Sequence, residues 1–349
     1  MYNLSSMQAR HPNYRWFAAA FLFALASTVA HAQQVVEQDI TAAKRLYPEI
    51  GAGVWGIKRG PAGHYYVLVG RSVLVFGDDQ QQIAEIPPPP SKGSRGAPQL
   101  VYGVAFDVDP AGRVYVADRA ANMLRIFSPE GASLLNISFE SPTGIAILPG
   151  GEIAAASAST EHLITIFDAR GRELRAIGDQ VDFSDNRTFN RFLNVGHLAA
   201  DTANNIYFAF NYFPEPTFRK YDRVGYASLD VSLTTVEFAP AAQAARREIK
   251  RETQTGNVPE LKPTVSCIGV DSVTERVWLA FGNEIMVFEK DGLQRAEYRL
   301  YTPEGGRLIL NSILVEPERL IISSDPLGIY EFPRPDKLNF PSTPAPKQF

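Results

Sequence analysis

The chain has 349 residues, 45% hydrophobic and 21% charged, with a formal net charge of −4. Such a mildly acidic chain has no general attraction for nucleic acid or anionic membrane, which excludes partners recognised by bulk charge alone. The single cysteine, Cys267, excludes an intramolecular disulfide, so stability has to come from burial, and a chain of this length can build a sizeable core.

Residues 1–32 read as an export signal. Arg10 and Arg15 precede an apolar run from Trp16 to Val29, and Ala30-His31-Ala32 supplies the small residues before Gln33 that suit a signal peptidase. The run is short for a bilayer span, which needs roughly 20 apolar residues, and no other stretch approaches that length. No cysteine follows the run to carry a lipid. The expectation is a cleaved, secreted or periplasmic protein that is not inserted in a membrane. Asn136-Ile137-Ser138 and Asn186-Arg187-Thr188 are glycosylation sequons, which matter only in a eukaryotic secretory route.

Beyond residue 32 one pattern recurs: an apolar stretch, a tight turn, a β-rich strand, a polar loop, and a strand ending in an aromatic. The first copy runs from Val54 to Ile86, with Gly60-Pro61-Ala62-Gly63 as its turn. Pro87 to Pro90 and the polar residues after it read as an extended connection. The clearest copy is Val101 to Gly131, where Asp109-Pro110-Ala111-Gly112 is turn chemistry between two strands. Further copies run from Pro142 to Gly171, Leu193 to Gly225, Ser266 to Gly292 and Ile309 to Phe332.

Four copies place a glycine four residues after an aromatic: Phe127 and Gly131, Phe167 and Gly171, Tyr221 and Gly225, Phe288 and Gly292. The aromatic closes a half-buried strand, and the glycine supplies the positive φ of the hairpin that follows. In the first copy Gln80 occupies the glycine slot. Recurrence at this period is the mark of a repeat architecture, in which each unit hides its apolar faces only against its neighbours.

The last copy runs into Pro333-Arg334-Pro335, and proline cannot continue a strand ladder. It therefore lacks a fourth strand. Val35 to Ile40, otherwise unassigned, is the expected donor, which closes the ring with both chain ends and leaves no open edge. The predicted fold class is all-β: a six-bladed β-propeller of four-stranded antiparallel blades closed by the N-terminal strand. The expected boundaries are a propeller over 33–335, an insertion over 238–263 with a helix from Ala241 to Thr253, and a disordered proline-rich tail over 336–349.

Tyr115-Val116-Ala117-Asp118, followed by Asn122-Met123-Leu124-Arg125-Ile126-Phe127, resembles the NHL repeat. At the level of pattern the resemblance covers most of residues 54–332, and only the second copy is close to the family wording. It implies an NHL-type (TolB-like) propeller whose innermost strands line a central channel. That family includes binding scaffolds, peptide-amidating lyases and receptor parts, and related six-bladed lactonases hold calcium at the ring centre.

In a propeller the segments entering the innermost strands and the loops between second and third strands share one face. That placement brings Tyr102, Thr143, Asn194, His197, Ser266 and Asn311 to the channel mouth, together with Arg71, Arg119, Glu161, His162, Tyr212, Asn283 and Asp325. Tyr102, Arg119, His162, Asn194, His197, Tyr212 and Asn311 are the candidate ligand-binding set, and no catalytic residue stands out.

Zinc chemistry wants several converging histidines or cysteines, and His64 falls on the opposite face. Calcium wants about six oxygens with several carboxylates; Asn194 and Asn311 suit it, but no carboxylate pair lies beside them. Asp118 and Asn122 match the family wording, yet short side chains of this kind more often hold loops by bonding backbone amides. Cys267 reads as a small buried residue on an inner strand. The expected function is a monomeric, exported scaffold that binds a protein or peptide, a glycan or a small molecule at the channel mouth. The alternative is a metal-dependent lactonase- or lyase-like enzyme.

Overall fold

The computed structural model describes residues 35–89, 100–234, 238–255 and 261–337. The expected signal, most of the proline-rich connection after blade one and the tail from 338 onward lie outside the described residues.

Two short strands, β1 (Val36–Thr41) and β2 (Lys44–Leu46), precede six repeated sheets. Blade one holds β3 (Gly56–Arg59), β4 (Tyr65–Leu68), β5 (Val73–Phe76) and β6 (Gln82–Ile86), and blade two β7 (Gly103–Val108), β8 (Val114–Asp118), β9 (Met123–Phe127) and β10 (Ser133–Ser138). Blade three holds β11 (Pro142–Ile147), β12 (Ile153–Ser157), β13 (His162–Phe167) and β14 (Glu173–Asp179). Helix α1 (Arg187–Leu193) then leads into blade four, β15 (Gly196–Ala200), β16 (Ile206–Phe210), β17 (Thr217–Tyr221) and β18 (Ala227–Ser232). Helix α2 (Ala239–Thr255) precedes blade five, β19 (Cys267–Val270), β20 (Val277–Phe281), β21 (Glu284–Phe288) and β22 (Gln294–Tyr301). Blade six contributes β23 (Leu310–Val315), β24 (Arg319–Ser324) and β25 (Gly328–Pro333). Within each blade consecutive strands pair in sequence order and antiparallel. The predicted six-bladed, all-β architecture is the observed one.

Each apolar core lies between neighbouring blades. Leu68 and Val75 of blade one pack with Val116 and Phe127 of blade two, and Ile126 of blade two packs with Ile153 and Phe167 of blade three. The series continues around the circle until Ile321 and Ile329 of blade six meet Ile57 and Phe76 of blade one. This arrangement explains the burial pattern. Second strands such as β8, β12, β16 and β20 are buried at every position, sandwiched on both faces, whereas β10 and β14 are exposed at most positions at the rim.

The turns follow the sequence reading closely. All four glycines of the aromatic–glycine spacing have positive φ, from 79° to 105°. Gln80, in the same slot of blade one, is held at φ 62° without glycine's freedom. On the face opposite the mouth, the Asp109 carboxylate accepts from the amides of Ala111 and Arg113, both at 2.9 Å, and from the Tyr115 hydroxyl at 3.1 Å. Asp201 repeats the device with Ala203, Asn205 and Tyr207.

Ring closure departs from expectation in its detail. The fourth strand of blade six is β2, antiparallel to β25 with Lys44 opposite Glu331 and Leu46 opposite Ile329. The expected donor, Val35 to Ile40, instead forms β1 and lies parallel against β22 as a fifth strand of blade five. Burial accounts for the difference. β1 buries only Ile40, while Leu46 and Tyr47 enter the core between blades six and one, the Tyr47 ring tilted against Phe76 with centroids 4.2 Å apart. The predicted insertion helix is present and two residues longer at each end; α1 was not anticipated. The ordered chain runs past the expected boundary at 335, because Pro335–Lys337 forms a 3₁₀ turn whose Asp336 pairs with Arg276 and Arg334. No helix among the described residues is long and apolar enough to cross a membrane.

Candidate functional site

A cavity of about 570 Å³ lies on the axis, lined by residues of all six innermost strands. The segments leading into those strands form its mouth, together with the loops that follow the second strands. Blade two shows how the backbone sets these residues. Asp118 is fully buried at the end of β8; its carboxylate accepts from the amides of Val101 and Tyr102, both at 3.0 Å, and from Arg125 Nε at 2.8 Å. The Arg119 amide then donates to the Tyr102 carbonyl at 3.0 Å. Asn122, in the left-handed region at φ 52°, accepts from the Ser141 amide at 2.8 Å. Asp118 and Asn122 thus act as structural holders, and what they hold in place is Tyr102 and Arg119.

Two aromatic pairs stand at the mouth. Trp55 meets Tyr102 edge-on, with centroids 5.6 Å apart, and both are partly open to solvent. Phe192 of α1 stacks on Tyr212 at 4.7 Å. The second pair is supported from behind by a small core in which Ile249 of α2 packs with Phe189 and Leu193 of α1. Arg246 of α2 also grips Glu215, beyond Tyr212, with both contacts at 2.7 Å. The insertion therefore has a positional role: it braces one wall of the mouth.

Of the candidate set, Tyr102, Arg119, His197, Tyr212 and Asn311 line the cavity, as do Thr143 and Ser266. Asn194 does not. It caps α1 with 3% exposure, its side chain accepting from the Val181 amide and donating to the carbonyls of Val181 and Asn190. One donor serves the carbonyl of Asn190 at the helix end, and the rest of the amide ties the backbone of Val181 to it, so all three side-chain bonds are made within the protein. His162 also lies off the cavity: it starts β13 with its ring half exposed, 3.9 Å from Asp179. Arg71, Glu161, Asn283 and Asp325 are likewise absent from the lining. Glu161 pairs with Arg187 and Arg191 of α1, and Asp325 accepts from the Gly53 amide at 2.9 Å.

The lining also includes residues not singled out in the sequence: Trp55, Lys58, Phe192, Asn211 and Pro263. Trp55 precedes Gly56 as Tyr102 precedes Gly103, so aligning the copies by their inner-strand glycines would have found it. Phe192 belongs to the unanticipated helix and had no repeat position to mark it.

Electrostatically the wall carries Lys58, Arg119 and His197 and no Asp or Glu. Lys58 has a counterion in Asp107 at 3.5 Å. Burial pushes the His197 imidazole down to about 4, so it is neutral at physiological pH. Burial raises the Tyr212 phenol, and the charge of Arg119 partly offsets that rise. Two polar atoms on the wall, Thr143 Oγ1 and Asn211 Oδ1, are buried without a hydrogen-bond partner. The Asn311 amide is engaged at both ends, donating to the Val54 carbonyl and accepting from Ser323.

A calcium ion does not fit this donor set. The wall supplies no carboxylate, and the two expected asparagines are spent on the protein's own hydrogen bonds. Zinc fares no better. Among the described residues no three His, Cys, Asp or Glu side chains converge, and His64, His162 and His197 lie on a turn, at the start of a third strand and on the channel wall.

Fold and site together define a six-bladed β-propeller with an axial cavity open at one face. No protein-family model matches the sequence, and no curated protein matches it. Among solved structures the chain is similar to a streptogramin B lyase, with TM-score 0.52 and 13% identity over 83% of this chain and 86% of that one. It is similar also to a catalytically inactive virginiamycin B lyase from Staphylococcus aureus with quinupristin, with TM-score 0.50 and 15% identity over 84% and 88%. At such identities the likeness is one of fold.

Proposed function

We propose that the protein is an exported, NHL-type binding scaffold whose channel mouth receives a small organic molecule, or one residue of a peptide or glycan. The observation that carries this reading is the pair of partnerless buried atoms, Thr143 Oγ1 and Asn211 Oδ1, on the wall of a 570 Å³ cavity. Leaving a buried polar atom unpaired costs about 1–3 kcal/mol, and a volume in the range of roughly 300–1,000 Å³ is that of small-molecule sites. A ligand that hydrogen-bonds these atoms, with aromatic walls to hold its body, makes sense of both. The alternative, a lactonase- or lyase-like enzyme with a metal at the ring centre, asks for converging carboxylates or histidines, which this channel does not present.

The reading is tested by ligand-detected NMR of the purified chain against a mixed library of neutral and charged fragments. Hits should compete with one another and be lost in Tyr212→Ala. Thr143→Val should melt higher than the parent, by about 0.5–1 kcal/mol, because the unpaired hydroxyl is gone, and should bind the same hits less tightly. Hits indifferent to both substitutions, or no hits at all, would remove the channel as a binding site.

A further inference from the structure

The sign of the charge on the wall limits what the channel can receive. The aromatic pairs, the neutral histidine and the two unpaired polar atoms accept almost any drug-sized body. The ionised groups are selective. Lys58 is matched by Asp107, and the lining holds no carboxylate. Arg119 has no ion pair or side-chain hydrogen bond to any described residue. It is exposed at the mouth, with its backbone tied to that of Tyr102, and its charge is felt at the Tyr212 phenol. The neighbouring Arg125, by contrast, is spent on Asp118. A guanidinium presents a rigid fork of donors matched to oxyanions, and here that fork belongs to the same cavity wall as the two aromatic pairs.

We infer that the channel's ligand is a small organic anion: an aromatic or apolar body carrying one oxyanion, a carboxylate or sulfonate, with the oxyanion on Arg119 and the body between Trp55–Tyr102 and Phe192–Tyr212. This rests on the binding reading above and adds the charge and shape of the ligand. The Asn211 oxygen further asks for an N–H or O–H on the body, since it can only accept. A cationic or metal-bearing ligand is disfavoured by the same wall, which offers it no counter-charge.

Two fluorescent probes isolate the charge. 8-Anilinonaphthalene-1-sulfonate and N-phenyl-1-naphthylamine share the anilino N–H and the naphthalene body and differ by the sulfonate. With the purified chain the sulfonate should bind in the channel at least about tenfold more tightly than the neutral probe, the scale of one charge-assisted contact. Arg119→Gln should erase that difference while leaving the neutral probe within about twofold, with melting temperature and circular dichroism unchanged. Added salt should weaken the sulfonate selectively. 1-Naphthoate should displace bound sulfonate at least about tenfold better than 1-naphthamide, which extends the result to carboxylates.

Equal binding of the two probes, or a sulfonate affinity indifferent to Arg119→Gln, overturns the inference and leaves the binding reading standing. If neither probe responds to Tyr212→Ala, anionic aromatics of this size do not use the channel and the inference is overturned as well. The fragment library, blind to charge, then decides the binding reading on its own.

Discussion

Gln80 sits at φ 62° in the slot where four other blades place glycine. A side chain in the left-handed region carries roughly 1–2 kcal/mol of steric strain, and glycine's larger unfolded-state entropy returns part of it. Gln80→Gly should therefore stabilise the protein by about 0.5–1 kcal/mol, read as an upward shift of the urea midpoint at unchanged slope. His197 supplies a second test. Its folded value of about 4 lies below the ordinary 6.5 because burial disfavours the charged ring. Between these values the unfolded chain takes up a proton that the folded one refuses, so stability is full above pH 6.5, falls as pH drops toward 4 and is flat below. The limiting loss is ~3 kcal/mol; because the ring faces an open channel, a loss of about 1–2 kcal/mol is expected. Unfolding free energies of His197→Gln should lack that slope. These two positions also mark where sequence reading stops. The left-handed slot at Gln80 was legible because four glycines defined it, and the channel position of His197 followed from its place in the copy. The duty of Asn194 was not legible, since capping depends on a helix of only seven residues, in which Phe189, Phe192 and Leu193 make less than two turns of apolar spacing.

At the scale of the element, the N-terminal segment shows how a repeat fixes the number of strands but not their source. The last copy demanded a missing strand, for which the sequence reading named only Val35 to Ile40, and the structure holds two short strands in tandem there. The more apolar one by composition, β1, took the outer edge of blade five, while Lys44–Leu46 followed the deeper anchors Leu46 and Tyr47 into the closing core. Exposed charges at Lys44 and Arg45 hid that strand from a reading by hydropathy, although Lys44 has a reason to be there, 3.5 Å from Glu331. Removing residues 35–41 should strip one parallel strand and the Ile40 side chain from blade five, lowering the melting temperature by several degrees with folding retained. Removing 35–47 should also open blade six and expose Ile321 and Ile329, and should give a chain that unfolds without cooperativity. Thermal melts of the two truncations decide it: equal melting temperatures would mean that β2 does not close the ring.

For the molecule as a whole, the circle is also fixed from its other end. Arg334, just beyond β25, is 4% exposed; it donates to the Glu316 carbonyl at 3.0 Å and to Asp336 at 2.8 Å, pairs with Asp271 on the β19–β20 turn, and lies 5.7 Å from the Trp278 ring. One side chain thereby ties blade six to blade five beneath their shared core. Burial alone would raise the Asp271 carboxyl, but the Thr274 hydroxyl, Arg334 and the Val273 amide together hold it at about 2. Because that value lies below the unfolded ~3.9, the contribution of about 2 kcal/mol is full above pH 4 and is lost as pH falls toward 2. Arg334→Met takes the cation from the buried Asp271 carboxylate, while Asp336 keeps its pair with Arg276, so it should cost about 3–5 kcal/mol at pH 7. The decisive quantity is how that loss changes with acid. In the variant Asp271 keeps Thr274 and Val273 but loses Arg334 and so gains less from ionisation, and the gap between variant and parent should narrow as pH drops below 4. A gap that stays constant down to pH 3 would show that Arg334 acts through packing on Trp278 and not through charge. A double-mutant cycle with Asp271→Asn would give the same answer at neutral pH: a coupling well above 1 kcal/mol if the ion pair joins the blades, and near zero if it does not.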